Sequence, residues 1–289
     1  WIIHPVYSEN IIIDGINISS FGYNSDGIDI DSSKNVLIKN SKIETGDDGI
    51  AIKSGLDKDG WRINKPSENI VIQDCLIRQG HSGISIGSEM SGGVRNVLIQ
   101  NSNFDDTDYG IRFKTMRGRG GIIENVWSRN IAMHDIKETA IRIDMDYPGY
   151  TIFPTTTKSP EIRNIYFSDI QGDDISQAII AEGLQEQPAE NIIFSNLSFF
   201  SKRGIIIGTV KQFEFKNIKI TTEKDYVWKI FNGKNIRIED GFCKQKNGDC
   251  FLISGESSSD IIIRGVDYSS IKQKMKKENG AGEGSVKLE

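Results

Sequence analysis

Short runs of alternating aliphatic residues recur along the whole chain, separated by Asn, Asp, Gly and Ser. One phrase is Asn followed by alternating aliphatics. It reads Asn10-Ile-Ile-Ile, Asn35-Val-Leu-Ile, Asn69-Ile-Val-Ile, Asn96-Val-Leu-Ile, Asn125-Val-Trp, Asn164-Ile-Tyr-Phe, Asn191-Ile-Ile-Phe and Asn235-Ile-Arg-Ile, with Asp260-Ile-Ile-Ile as a variant. Between these falls a second phrase, a small residue and then Ile-x-Ile: Gly27-Ile-Asp-Ile, Gly49-Ile-Ala-Ile, Gly83-Ile-Ser-Ile, Gly110-Ile-Arg-Phe and Ala140-Ile-Arg-Ile, continued by Ala178-Ile-Ile and Gly204-Ile-Ile-Ile. A period of two bounded by turn residues predicts strands, not helices. Gly27 to Gly49 spans 22 residues and Gly83 to Gly110 spans 27, with no room between the runs for an amphipathic helix of ten residues or more. The Asn-Gly and Asp-Gly links that join hairpin strands are mostly absent, which argues against a sandwich. A unit of 20–30 residues carrying two or three short strands marks a parallel solenoid, in which each unit is one coil. The expected fold is all-β: a single-stranded, right-handed parallel β-helix of about ten coils. The recurrent Asn is expected to form a ladder of stacked side-chain amides at an inward turn.

Two longer gaps locate loops, Ser54 to Ser67 and Tyr147 to Pro160. Loops that leave a solenoid tend to border its binding groove. No linker divides the chain, so one β-helix domain is expected over 1–270, followed by a polar tail over 271–289. The chain opens at Trp1 almost directly in strand-like sequence, with no basic and apolar leader. N-terminal coils are therefore expected to be missing ahead of it.

Composition narrows the function. The net charge is −5, which disfavours a general nucleic-acid surface. The late run Lys272, Lys274, Lys276 and Lys277 reads as a solvated tail. No apolar stretch approaches the ~20 residues of a membrane span. Three cysteines give no disulfide framework. Cys75 sits in a strand as a small hydrophobe, and Cys243 and Cys250 leave a single pairing open.

Stacking the coils gathers charge. Aligned on the small residue of the second phrase, the position before it reads Asp26, Asp48, Ser82 and Tyr109 in successive coils, and the one before that Ser25, Asp47, His81 and Asp108. Two places after it stand Asp29, Ala51, Ser85 and Arg112; four places after it, Asp31, Lys53, Gly87 and Lys114. The column Ile28, Ile50, Ile84 and Ile111 is expected to point inward, and Asp29, Ala51, Ser85 and Arg112 to face solvent. Carboxylates, an imidazole, a guanidinium and an amine thus converge within about four coils, ~15 Å along the axis. Like charges one coil apart repel and raise at least one carboxyl pKa. Glycosidase chemistry uses that asymmetry, one carboxyl protonated to donate to the leaving oxygen and another ionised. Arg112 and Lys114 could hold a substrate carboxylate. Asp-Gly before a strand is also ordinary turn chemistry; the matching columns carry the functional reading, not any single pair.

The motifs Asn24-Ser25-Asp26-Gly27, Gly46-Asp47-Asp48, Gly80-His81 and Arg112-Phe113-Lys114, in this order and spacing, resemble the polygalacturonase family of glycoside hydrolases, family 28. The resemblance runs from about Trp1 to Asp267, and Gly87-Ser-Glu-Met-Ser-Gly-Gly-Val94 is similar to the bacterial branch, which includes many exo-acting enzymes. It implies inverting hydrolysis of α-1,4-galacturonosidic bonds in polygalacturonate or pectin. Asp47 would be the general acid, Asp26 and Asp48 would activate the water, and His81 would tune the acid. Arg112 and Lys114 would grip the galacturonate carboxylate, and Tyr147 would contact substrate. No metal or cofactor is implied. The implied partner is an anionic pectic polysaccharide or oligogalacturonide, met by a monomer outside the cell or in the periplasm, with no nucleic acid or membrane. Ser82 replaces the glycine usual after Gly-His, and Phe113 the isoleucine of Arg-Ile-Lys. One tension is physical: carboxylates in adjacent coils should sit ~5 Å apart, whereas inverting enzymes usually separate acid and base by ~6.5–9.5 Å.

The rival readings are a calcium-dependent lyase on the same scaffold, a non-catalytic carbohydrate-binding solenoid, and a hydrolase of rhamnogalacturonan or xylogalacturonan. His4 and His134 read as structural, and Asp144 and Asp146 as a solvated turn.

Overall fold

A computed structural model describes residues 1–147, 157–245, 249–269, 271 and 273–289. Most of the Tyr147–Pro160 loop, and Lys272 of the late lysine run, lie outside the described residues. Ten segments stack side by side to form the sheet that carries the second phrase. They are Ile28–Asp31, Ile50–Lys53, Ser82–Gly87, Tyr109–Lys114, Thr139–Asp144, the ends of Glu161–Glu182 and Ala189–Gly208, then Trp228–Phe231, Asp249–Ser254 and Gln273–Glu278. The Asn phrase forms a second row, from Glu9–Asp14 through Lys34–Lys39 and Ser67–Gln73 into the long strands that follow. A third row begins with Asn17–Ser20, Lys42–Thr45 and Leu76–Arg78. All these pairings are parallel, and the chain is a parallel β-helix. The stack continues past residue 270, where the sequence pointed to a polar tail. Gln273–Glu278 pairs with Asp249–Ser254, and Val286–Leu288 with Ser259–Asp267.

The corners explain the Asn phrase. Asn10, Asn35, Asn69, Asn96, Asn125, Asn164, Asn191 and Asn235 all have φ between 53° and 59°. Asn tolerates this left-handed region because its short amide bonds locally, where a β-branched residue would be strained. Each amide then reaches the one in the coil before: Asn35 Nδ2 donates to Asn10 Oδ1 at 3.0 Å, and Asn69, Asn96, Asn125, Asn164 and Asn191 repeat the contact at 2.6–3.3 Å. The ladder is present, but it runs along the outside of a corner and not inward. Asn10, Asn35, Asn69 and Asn96 are exposed. The left-handed residue turns its own side chain outward and leaves the interior to the aliphatics that follow.

That interior is one continuous column per face. Ile28, Ile50, Ile84, Ile111, Ile141, Ile179 and Ile205 lie in register, followed by Trp228 and Phe251, all essentially without solvent contact. Each such side chain contributes roughly 1.5–3 kcal/mol of burial. A second column stacks Phe167, Phe194 and Phe215, with ring centroids 4.9 and 4.7 Å apart. Trp228 Nε1 donates to Cys243 Sγ at 3.3 Å in the same interior, and burial pushes the Cys250 thiol up. The single α-helix among the described residues is short, Asp57–Ile63, and sits in the loop Ser54–Ser67. No helix among them is long and apolar enough to cross a membrane.

Candidate active site

The site forms where the chain turns into the first sheet. Gly27 and Gly49 enter that sheet pressed against the next coil. A Cβ on Gly27 would lie 2.6 Å from Gly49 O, and one on Gly49 2.5 Å from Ile77 Cγ2. The residues just ahead of them are therefore held tightly in register. Gly27 N–H donates to Asp48 O, His81 N–H to Asp47 O and Tyr109 N–H to His81 O, each at 3.0 Å. The columns aligned in the sequence are the columns of the structure: Asp29 pairs with Ala51, Ala51 with Ser85 and Ser85 with Arg112.

Asp26, Asp47 and Asp48 each bring a carboxylate oxygen to within 4.8 Å of the other two. Asp26 and Asp48 are buried and Asp47 is half-buried. Lys114 Nζ donates to Asp48 Oδ2 at 2.7 Å. Burial pushes the Asp48 carboxyl up, but the Lys114 ammonium, joined by Ser82 and Lys53, more than reverses this, and the carboxyl is held below its usual range. Asp26 goes the other way. Burial raises it, Lys53 opposes, and the charges of Asp48 and Asp47 add to the rise. The repulsion anticipated from stacked carboxylates thus splits two neighbours, one lowered and one raised. Three oxygens so close could hold a cation, but the Lys114 and Lys53 ammoniums already lie against Asp48 and Asp26.

His81 is oriented by two bonds. Arg112 Nη1, which can only donate, bonds His81 Nε2 at 2.8 Å, so Nδ1 carries the proton and donates to Asp108 Oδ2 at 2.9 Å. The imidazole bonds neither oxygen of Asp47; its link to that residue is the backbone bond above. Its two side-chain bonds go to Asp108 and Arg112. The Arg112 guanidinium lies 4.0 Å from the Tyr109 ring and 5.0 Å from the Tyr147 ring. Its Nε has no partner. Tyr147 N–H bonds Thr115 O at 2.9 Å, which seats the ring beside Arg112. A planar guanidinium fixed between rings suits a planar carboxylate.

Two expectations are corrected. Asp29, Ala51, Ser85 and Arg112 do not face solvent: the first three are 0% exposed and Arg112 5%. The long side chains of Lys53 and Lys114, themselves buried, reach Asp26, Asp29 and Asp48 beside this column. Asp144 is buried and not a solvated turn residue, with Oδ2 3.3 Å from Arg142 Nη2. Asp146 is exposed, as expected, and pairs with Arg117 at 3.3 Å. His4 meets Asp31 at 3.7 Å, and His134 bonds Asp173 at 3.0 Å on the outer surface. Lys53, Asp29, Glu89 and Asp108 join the site without having been singled out. Three of them stood in the aligned columns, and Glu89 stood in the segment from Gly87 to Val94, where nothing told the reach of its side chain, because its place depends on the path of a loop. A concavity of about 610 Å³ lined by Arg78, His134 and Phe200 shares no residue with this cluster.

A family model described as glycosyl hydrolases family 28 matches residues 4–204. The chain is 35% identical over 202 residues to a probable polygalacturonase of Vitis vinifera, covering 68% of this chain and 41% of that protein. It is 26% identical over 243 residues to an exo-poly-alpha-D-galacturonosidase of Dickeya chrysanthemi, covering 80% and 40%. Among solved structures it is similar to a hyperthermoactive exopolygalacturonase of Thermotoga maritima, with TM-score 0.63 and 38% identity over 73% of this chain and 45% of that one. A family 28 exopolygalacturonase of Yersinia enterocolitica shares the fold at TM-score 0.73 and 22% identity, covering 81% and 43%. The chain spans about two fifths of the length of these curated relatives.

Proposed function

The chain belongs to the glycosyl hydrolases of family 28, and on that footing we propose that it hydrolyses α-1,4-galacturonosidic bonds in polygalacturonate or pectin. The observation that carries this reading is the trio Asp26, Asp47 and Asp48 with oxygens within 4.8 Å. One member of the trio is held ionised by Lys114, and Arg112 bonds His81, whose backbone N–H in turn donates to Asp47 O. Asp47, the least buried of the three, donates a proton to the leaving oxygen. Its Oδ1 accepts the Asp48 N–H at 2.8 Å, which fixes its orientation and leaves Oδ2 for the substrate. Asp48 and Asp26 bind and deprotonate the attacking water. Oxygens this close can share one water hydrogen-bonded to both. Arg112 takes the galacturonate carboxylate in bidentate fashion, with His81 and Asp108 holding the guanidinium and Tyr147 flanking it.

The stereochemical outcome is inversion. Carboxylates this close lie nearer the ~5–5.5 Å of retaining enzymes than the wider inverting spacing. Lys53 and Lys114 each lie against one oxygen of Asp26 and Asp48, however, and the reading takes water, not either carboxylate, as the nucleophile. Exo action accords with the two exopolygalacturonases of similar structure. The reading requires no cofactor. It implies a monomer acting on an anionic pectic chain outside the cell or in the periplasm.

The test is release of reducing sugar from de-esterified polygalacturonate with chelator present, for the chain and for Asp47→Asn. Loss of a general acid lowers the rate by roughly 10²–10⁴-fold. NMR of fresh product reads the anomer. Turnover that stops with chelator, an unsaturated product or a retained anomer would each overturn part of this reading. A folded chain that binds oligogalacturonide without turnover would replace it with a binding function.

A further inference from the structure

Asp29 is the most thoroughly buried acid of the site, at 0% exposure, and neither of its carboxylate oxygens has a hydrogen-bond partner. Its nearest cation, Lys53 Nζ, is 3.4 Å from Oδ1. The same ammonium lies 3.5 Å from Asp26 Oδ2 and 3.4 Å from Glu89 Oε2, with the Trp1 ring centroid at 4.3 Å. Asp29 Oδ1 and Asp26 Oδ2 thus share one ammonium, which gathers the two carboxyls against each other in the buried interior. Two carboxylates cannot bond each other unless one carries a proton. One proton on Asp29 gives its orphan oxygen a partner and gives Asp26 a donor.

We propose that Asp29 is a positioning residue of the reaction described above: as a neutral carboxylic acid it donates a hydrogen bond to Asp26, keeping that residue ionised and aimed at the water, while Lys53 clamps the pair. The proposal rests on the hydrolytic reading of this site. Charge counting supports it. Asp26, Asp29, Asp47, Asp48 and Glu89 share only the Lys53 and Lys114 ammoniums in this cluster. With all five ionised, the cluster would carry three negative charges that these two ammoniums do not balance, with Asp26, Asp29 and Asp48 buried. A proton on the deepest group relieves the repulsion without disarming the exposed ones. Burial pushes Asp29 up to about 8, against the pull of Lys53 and with help from the Asp26 charge. The groups that face Asp29 are Asp26 on its own coil and Lys53 on the next, with Glu89 reaching Lys53 from the loop after Gly87. His4, from the opening segment, turns to Asp31. The donated bond answers a difficulty in the mechanism. Asp26, raised by burial, would otherwise hold a proton when it is needed as a base. Hydrogen bonding to the charged form opposes that rise.

The experiment compares the pH profile of kcat/KM for the chain, Asp29→Asn and Asp29→Leu, with melting curves at each pH. Asn keeps a donor and Leu removes it. The acid limb stays in place for Asp29→Asn, though kcat falls, and moves up by about one pH unit for Asp29→Leu, a tenfold loss at the foot of the limb. A merely structural role would lower both variants uniformly and leave the limb unmoved, which overturns the proposal. If the wild type shows no turnover on polygalacturonate, the hydrolytic reading fails separately, and the proton is read directly. Carboxyl ¹³C NMR of aspartate-labelled wild type should show one inflection near pH 8 that Asp29→Asn lacks. Absence of that inflection overturns the proposal, whatever the activity.

Discussion

Lys114→Met removes the cation from a buried pair and leaves Asp48 behind. Lys114 is 7% exposed and Asp48 1%, and their contact of 2.7 Å is the bond that Lys114 makes to the site. Breaking a buried pair by deleting one partner costs about 3–5 kcal/mol, because the survivor stays desolvated. With about 2.1 cal/mol/K of unfolding entropy per residue, 289 residues give about 0.6 kcal/mol per degree, so Tm at pH 7 falls by about 5–8 °C. The pH dependence is the sharper test. In the wild type the folded pKa of Asp48 is depressed. Its contribution is therefore present above the unfolded value of 3.8 and lost as pH falls through the lower folded value. In Lys114→Met burial, the largest effect, is opposed only by Ser82 and Lys53, so the folded pKa should rise above 3.8 and the sign reverse. Stability is then greatest in acid and declines as pH rises toward 7. Differential scanning fluorimetry from pH 4 to 8 reads both curves. The difference in Tm between variant and wild type should shrink toward pH 4. A constant difference across that range, or a loss below 1 °C at pH 7, would refute the placement of the buried pair.

Arg112→Lys loses the planar fork, the bond to His81 and the contact with the tyrosine rings, so KM for oligogalacturonide should rise about 10–100-fold with a smaller fall in kcat; an unchanged KM would remove Arg112 from the carboxylate site. Asn96→Ala places a Cβ without an amide at φ 57° and deletes two rungs of the ladder, at 3.2 and 3.3 Å. The cost should be about 2 kcal/mol, and Asn96→Gly should recover part of it in urea titration. Phe194→Ala opens the middle of the aromatic stack, with neighbours at 4.9 and 4.7 Å, and should cost about 3–5 kcal/mol. Its kcat/KM at 25 °C should not move, because the stack shares no contact with the carboxylates.

The solenoid was legible because its cause is local. An apolar period of two makes strands, Asn at each corner permits the left-handed turn, and the repeat length closes a coil; all three are properties of neighbouring residues. Aligning the repeats then placed Asp29, Ala51, Ser85 and Arg112 in one column, since parallel pairing carries register from coil to coil. Burial of that column was not legible. It depends on how far the Lys53 and Lys114 side chains reach between coils, and spacing along the chain does not encode that reach. The same limit hid the partners of His81, which bonds Asp108 and Arg112 one coil away. It also hid Glu89, which a loop delivers to Lys53. The sequence by itself determined which residues share a column; tertiary structure alone decided which of them lost water. Desolvation and charge set the carboxyl pKa values, and both depend on everything folded over a group, not on its place in the repeat.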